Sequence, residues 1–328
     1  ITGLHAPDIL SEECRFALFD TVSHGEIRGV ILREPGIIPG KATPTSYCAP
    51  LAVTATQSLI ENCAVIGGSV APPEGYAAGM MVEAYASILR NLFNSADVLC
   101  HAPNSELKNT GGICGAAGGS YGVNLANEGE VFGTHLTGGI VGFQNGGSLY
   151  RCANSGTVWG STMVGEFPAG GIIQTNEPGA VTADCYFVAG RAAKGGSYKG
   201  GVRALTPIGA DLLRDPAALP LLGSFDGNAP EWGYASLDAA GPVPCGAFPV
   251  QADKPQVIVT DGGVLLPEAG EIRYFYTLDG SDPRLNCPQG VSSAELTLSP
   301  GEILTVFAAS PGCRDSEIVI FTPEGGTP

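Results

Sequence analysis

The chain has 328 residues, with 48 glycines, 25 prolines and only 15% charged side chains. It is too apolar to be disordered and too long for one ordinary core, so two or three folded units are expected. Lys and Arg number 16 against 32 Asp and Glu, and the resulting net charge of −16 repels phosphate backbones and anionic membranes, which excludes nucleic acid as an expected partner.

No apolar run approaches the ~20 residues of a membrane helix, so no membrane insertion is expected of this stretch. Ile1 follows neither a basic segment nor a cleavage motif, and any export signal or anchor is expected to lie outside it. Low charge with abundant Gly, Ser, Thr and Asn fits an exported surface module better than a cytosolic protein.

Along the chain, Phe19 to Leu32 looks like an opening winding, and a glycine-centred phrase then recurs. It runs Ala49-Pro50-Leu51-Ala52, Ala78-Gly79-Met80-Met81, Gly111-Gly112-Ile113-Cys114, Gly138-Gly139-Ile140-Val141, Gly170-Gly171-Ile172-Ile173 and Gly200-Gly201-Val202-Arg203, at spacings of 29, 33, 27, 32 and 30 residues. Such spacing marks stacked units that cannot bury an apolar face alone. Each unit continues with an apolar residue (Ile60, Leu89, Leu149), then Asn62, Asn91 or Asn124, with Arg151 breaking the series. Cys63, Leu92, Leu125 and Cys152 follow directly, and about three short strands per winding are expected.

The apolar residues flanking each Asn are three apart, so both point inward only if the chain turns between them. Asn tolerates the left-handed backbone that such a corner needs. Stacking would then place Asn over Asn, each able to bond the next. The expected fold is an all-β parallel β-helix, or β-solenoid.

Residues 109–133 and 136–160 resemble the GLUG motif of bacterial surface proteins, with weaker copies at 47–70, 76–98, 168–190 and 198–203. The resemblance implies a secreted or wall-attached bacterial protein without naming an activity. The glycine pairs Gly111 and Gly112, Gly138 and Gly139, and Gly170 and Gly171, with Asn62, Asn91 and Asn124, are its structural repeat positions.

After Thr206 the glycine pairs cease, and residues 207–223 offer a short helix with Asp211 or Asp215 as cap and Pro216 in its first turn. A solenoid needs its last coil covered, and residues 205–250 fit that task. From about Lys254 the pattern becomes alternating strands separated by turns rich in Gly, Asp and Pro. Residues 254–322, with "IRYFYTLDGSDP" at their centre, resemble the chitobiase/β-hexosaminidase C-terminal domain, which implies an immunoglobulin-like β-sandwich appended to extracellular glycan-active proteins. The expected organisation is therefore a solenoid over 1–204, a cap and linker over 205–250, and the sandwich over 251–328.

Ten cysteines are too few for a dense disulfide framework. Cys63 and Cys152 share a slot with Leu92 and Leu125, and Cys185 sits one residue off it, so these read as buried thiols packing like small hydrophobes. Cys287 and Cys313 lie near loops and are the candidate disulfide pair.

The four histidines, His5, His24, His101 and His135, form no HExxH or other close metal spacing, and no nucleophile elbow or phosphate loop is present. Asp279 to Pro283 reads as a turn whose carboxylates bond local amides. Ahead of the corner Asn stand Glu61, Arg90, Val123 and Tyr150, a mixed face read as solvated surface rather than a catalytic pair. No catalytic residue, cofactor or metal is expected. The enzymatic rival is a polysaccharide lyase or hydrolase with acid and base on adjacent coils.

Sugar rings stack on Trp and Tyr faces, so exposed aromatics are the remaining signal. Trp159, Tyr150 and Trp232 are the candidate glycan contacts, with Tyr234, Tyr274 and Tyr276 more weakly placed. The expectation is a monomeric, non-catalytic, extracellular stalk or adhesive scaffold that meets a glycan or host protein. The alternative is part of a secreted carbohydrate-active enzyme or protease.

Overall fold

The computed structural model describes residues 1–5, 15–39, 46–101, 108–160, 169–196, 201–202, 205–213, 232–233, 241–247, 252–260, 263–270, 272–281, 283, 290–309 and 316–323. The chain divides into two compact units, Ile1–Ala210 and Asp211–Pro328.

The first unit is an all-β parallel solenoid of about five turns. Each full winding crosses four sheets rather than three. The first sheet is built from Arg15–Phe16, Tyr47–Cys48, Tyr76–Ala78, Asn109–Gly111 and Leu136–Gly138. The second stacks Phe19–Ser23, Ala52–Thr56, Met81–Tyr85, Cys114–Gly118, Val141–Asn145 and Ile173–Asn176. The third contains Glu26–Arg28, Leu59–Ile66, Ile88–Asn94 and Tyr121–Asn127, and the fourth Gly36–Ile37, Ser69–Val70, Asp97–Leu99, Val131–Gly133 and Val158–Gly160. Leu205–Ile208 still pairs in parallel with Cys185–Val188, which carries the third sheet to Ile208.

The third sheet bends where the sequence demands a corner. Asn62, Asn91 and Asn124 have φ of 57°, 52° and 54°, and Arg151 and Asp184 hold the same left-handed conformation at 51° and 54°. The Asn91 amide donates to Asn62 Oδ1 at 2.9 Å and the Asn124 amide to Asn91 Oδ1 at 3.0 Å. Arg151 ends this ladder and leaves Asn124 Oδ1 buried without a partner. A second left-handed corner joins the second and third sheets at His24, Gln57, Ala86 and Gly119.

Leu92 pairs with Cys63 and Leu125, and Cys185 lies over Cys152 through the Tyr186 amide bond to the Cys152 carbonyl. Cys185 therefore occupies the slot itself, because Asp184 takes the corner as Arg151 does one winding earlier. These residues are fully buried with Ile60, Leu89 and Ile113 in one apolar column, while Ile37, Val70, Val98, Val131 and Val158 form another. Cys48, Cys63, Cys100, Cys114, Cys152 and Cys185 are buried. Cys287 and Cys313 lie outside the described residues.

Burial pushes the Cys63 thiol up to about 11 and raises Cys114 as well. An unfolded thiol ionises near 8.5. Between these values the unfolded chain has lost a proton that the folded chain keeps, so stability is full below pH ~8.5 and falls as pH rises toward 11. Urea unfolding at pH 7.5 and pH 10 should show that loss, and Cys63→Ala should reduce it.

The glycine pairs have separate packing reasons for each member. A Cβ on Gly111, Gly138 or Gly170 would strike the carbonyl of Cys114, Val141 or Ile173, three residues on. A Cβ on the second glycine would meet both the next winding's carbonyl and a buried asparagine: Asn127 for Gly112, at 2.5 Å from Cγ, and Asn154 for Gly139, at 2.6 Å. Gly171 instead faces the Phe187 ring at 2.6 Å. Those asparagines form an interior ladder. The Asn94 amide donates to Asn127 Oδ1 and the Asn127 amide to Asn154 Oδ1, both at 2.8 Å, while each amide also reaches the carbonyl two residues on. Val65 and Phe187 occupy the same row at its two ends.

The sixth glycine phrase falls elsewhere than the spacing suggests. Gly170 bridges Lys194, and the Gly171 and Ile172 amides bond the Lys194 and Gly195 carbonyls at 2.6 and 2.8 Å. Gly201–Val202 instead pairs with Val181–Thr182 on the third sheet. This winding is shorter, so the regular spacing that nominated Gly200 and Gly201 overshoots its position.

A single helical turn, Ala210–Leu213, spans the chain boundary between the two units, with Asp211 inside it rather than capping it. Asp215 and Pro216 lie outside the described residues. Beyond it, among the described residues, are three small antiparallel sheets: Trp232–Gly233 with Val243–Pro244; Ile258–Thr260, Gly263–Leu266 and Ala294–Leu296; and Arg273–Thr277, Leu304–Ala309 and Val319–Phe321. Val264, Leu266, Tyr274, Leu304 and Val306 form one apolar cluster drawn from the last two sheets.

Candidate binding surfaces

On the outside of the fourth sheet, Phe132 pairs with Leu99 on one side and Trp159 on the other. The Phe132 and Trp159 rings lie 4.1 Å apart at 46°, and His101 packs on Phe132 at 4.6 Å. Glu130 accepts the Trp159 indole N–H. Trp159 is 46% exposed while Phe132 is buried, so one indole edge and one face are fixed and the rest meets solvent.

Tyr150 stands on a different face. It belongs to the third sheet, where its ring lies 6.0 Å from that of Tyr121. Its row continues backward through Val123, Arg90, Glu61 and Arg28. Glu61 is only 7% exposed, held between Arg90 and Arg28, the latter at 3.4 Å. It is therefore not the solvated side chain its composition suggests. Two guanidiniums on adjacent rungs provide the neutralisation that lets a carboxylate sit in this row.

The next outward row is Glu26, Leu59, Ile88, Tyr121 and Ser148. Ile88 and Tyr121 are 46% and 42% exposed, and Tyr85 across the corner is 41% exposed, with its ring lying where a Cβ on Gly118 would come within 2.7 Å. Between the corner residues His24, Gln57 and Ala86 and the row from Glu26 to Ile88 runs a shallow cleft of about 420 Å³, floored by Gly25 and Ser58. The Ser58 hydroxyl is committed to the Gly25 amide and to the Thr56 carbonyl at 3.2 and 2.7 Å. Periodicity gave no sign of this cleft, because its walls come from residues flanking a left-handed corner that only the structure locates.

Trp232 is 1% exposed, so this ring offers no face to a sugar. Tyr234 lies outside the described residues. Tyr274 is buried and donates to the Pro267 carbonyl, and Phe275 stacks on Phe307 at 5.0 Å on the opposite face of that strand. Asp279 accepts from the Ser281 amide and hydroxyl at 3.0 and 2.5 Å, which holds its carboxyl below the usual range. That is the local turn chemistry expected of Asp-Gly-Ser.

Among the described residues, no helix is long and apolar enough to cross a membrane. No protein-family model, no curated protein and no solved structure matches this chain.

Proposed function

We propose that this chain is a non-catalytic extracellular module of a bacterial surface protein, in which the solenoid serves as stalk and adhesive scaffold and the C-terminal unit as an immunoglobulin-like spacer. The resemblance of its glycine phrases to GLUG repeats supports the surface role, and that of residues 254–322 to the chitobiase C-terminal domain supports glycans as ligands. The observation that carries the adhesive reading is Trp159, a half-exposed indole braced by Phe132 and Glu130 on the side of a stacked rod. A ring held in this way loses little freedom when a sugar stacks on it. Repetition along a rod turns weak contacts into useful avidity.

Screening of the purified chain on a glycan array tests this. Binding is expected, and Trp159→Ala is expected to weaken it about tenfold if the indole contributes one stacking contact of 1–1.5 kcal/mol. Silence of the wild-type chain on every glycan would remove the glycan-adhesive reading and leave protein binding or display of a partner domain.

A further inference from the structure

We propose that the cleft along the corner between the second and third sheets, and not only the face carrying Trp159, is a binding groove for a linear, uncharged glycan laid parallel to the solenoid axis. This rests on the adhesive reading above and assigns it a second surface and a ligand class.

The groove spans three windings, with rungs about 4.8 Å apart. His24, Gln57 and Ala86 line one wall, and Glu26, Leu59 and Ile88 the other. Tyr121 continues the second wall by one rung. Leu59, Ile88 and Tyr121 form a continuous apolar strip, while His24 and Gln57 offer hydrogen-bonding groups directly opposite. An occupant needs C–H faces on one side and hydroxyls on the other, which is the chemistry of a sugar chain. Three exposed large apolar side chains, Tyr85, Ile88 and Tyr121, gathered at one corner also exceed the scatter normal for a surface.

An extended peptide fits less well. Of the strands bordering the groove, Ala52–Thr56 and Leu59–Ile66 are already paired on both sides by adjacent windings, and only Phe19–Ser23 and Glu26–Arg28, at one end of it, are paired on a single side. A peptide added to that edge would run along the strand, across the groove and not along it. A uronic-acid polymer is disfavoured by Glu26 in the wall and by the net charge of −16.

The test is an array of neutral linear oligosaccharides (gluco-, xylo-, manno- and N-acetylglucosamine series) with oligouronates as counter-probes. It is run on the whole chain, Tyr121→Ala, Ile88→Asp and Trp159→Ala, with thermal melting to confirm folding. Binding to a neutral series, reduced at least tenfold by Tyr121→Ala and by Ile88→Asp with melting unchanged, supports the groove. Loss in Trp159→Ala alone, with both groove variants binding as wild type, overturns the groove and leaves the adhesive reading standing. Binding only to oligouronates overturns the assigned chemistry. Silence on every glycan, whether or not the chain captures a protein, overturns both the groove and the glycan-adhesive reading.

Discussion

Gly112→Ala is expected to destabilise the solenoid by about 3 kcal/mol, near the upper end of what overpacking costs. The added methyl would enter the van der Waals shell of the Gly139 carbonyl on one side and lie 2.5 Å from Asn127 Cγ on the other. Backbone on the adjacent winding cannot retreat without breaking the parallel bonds that hold it, and the asparagine cannot turn without leaving its ladder. Gly209 is the matched control, since a Cβ there meets nothing within 4 Å. Gly209→Ala should stay within about 0.5 kcal/mol of wild type. Denaturant midpoints of the two variants, with unchanged slope, measure the contrast. A Gly112→Ala midpoint equal to that of Gly209→Ala would mean the glycine pairs are not packing requirements.

Asn127→Ala should cost more still, about 4 kcal/mol. Its removal strands three buried groups together: the Asn94 amide, Asn154 Oδ1 and the Gly129 carbonyl. Each unsatisfied buried group costs roughly 1–3 kcal/mol, and only the Asn94 amide keeps a second bond, to the Ala96 carbonyl. Asn124→Ala separates the buried ladder from the corner ladder. It gives up one side-chain bond to Asn91 and the tolerance of Asn for a φ of 54°, together about 1–2 kcal/mol. Equal losses at 127 and 124 would mean that the interior ladder carries no special weight. Because each winding leans only on its neighbours, damage at Asn127 should also appear as faster hydrogen exchange in the flanking windings.

The corner ladder was legible in sequence and the interior ladder was not, although both are rows of asparagine. Asn62, Asn91 and Asn124 sit between apolar residues three apart, an arrangement that has no strand solution without a turn. Asn94, Asn127 and Asn154 follow in ordinary alternation, so sequence gives no reason to place them opposite the second glycine of each pair. The glycines themselves were visible as a repeat, but their cause lies across the winding. Gly201 was misplaced because period was read as position, and a shorter last winding breaks that equivalence. At the surface, Trp159 was nominated by type alone and is half-exposed, Trp232 is buried, and the cleft beside His24 and Ile88 escaped notice because no residue type announces a corner's exterior.

The interior asparagine ladder has one more consequence, for how this protein can change its length. Asn94 donates to Asn127 as Asn127 donates to Asn154, although the spacing between successive members is 33 and then 27 residues. Loop content thus varies freely while the rung-to-rung bond does not. Unequal recombination that removed or duplicated the stretch from one such asparagine to the next would regenerate an identical junction. The scaffold can evolve its reach in whole-winding steps, each new member bonding its predecessor as the old one did.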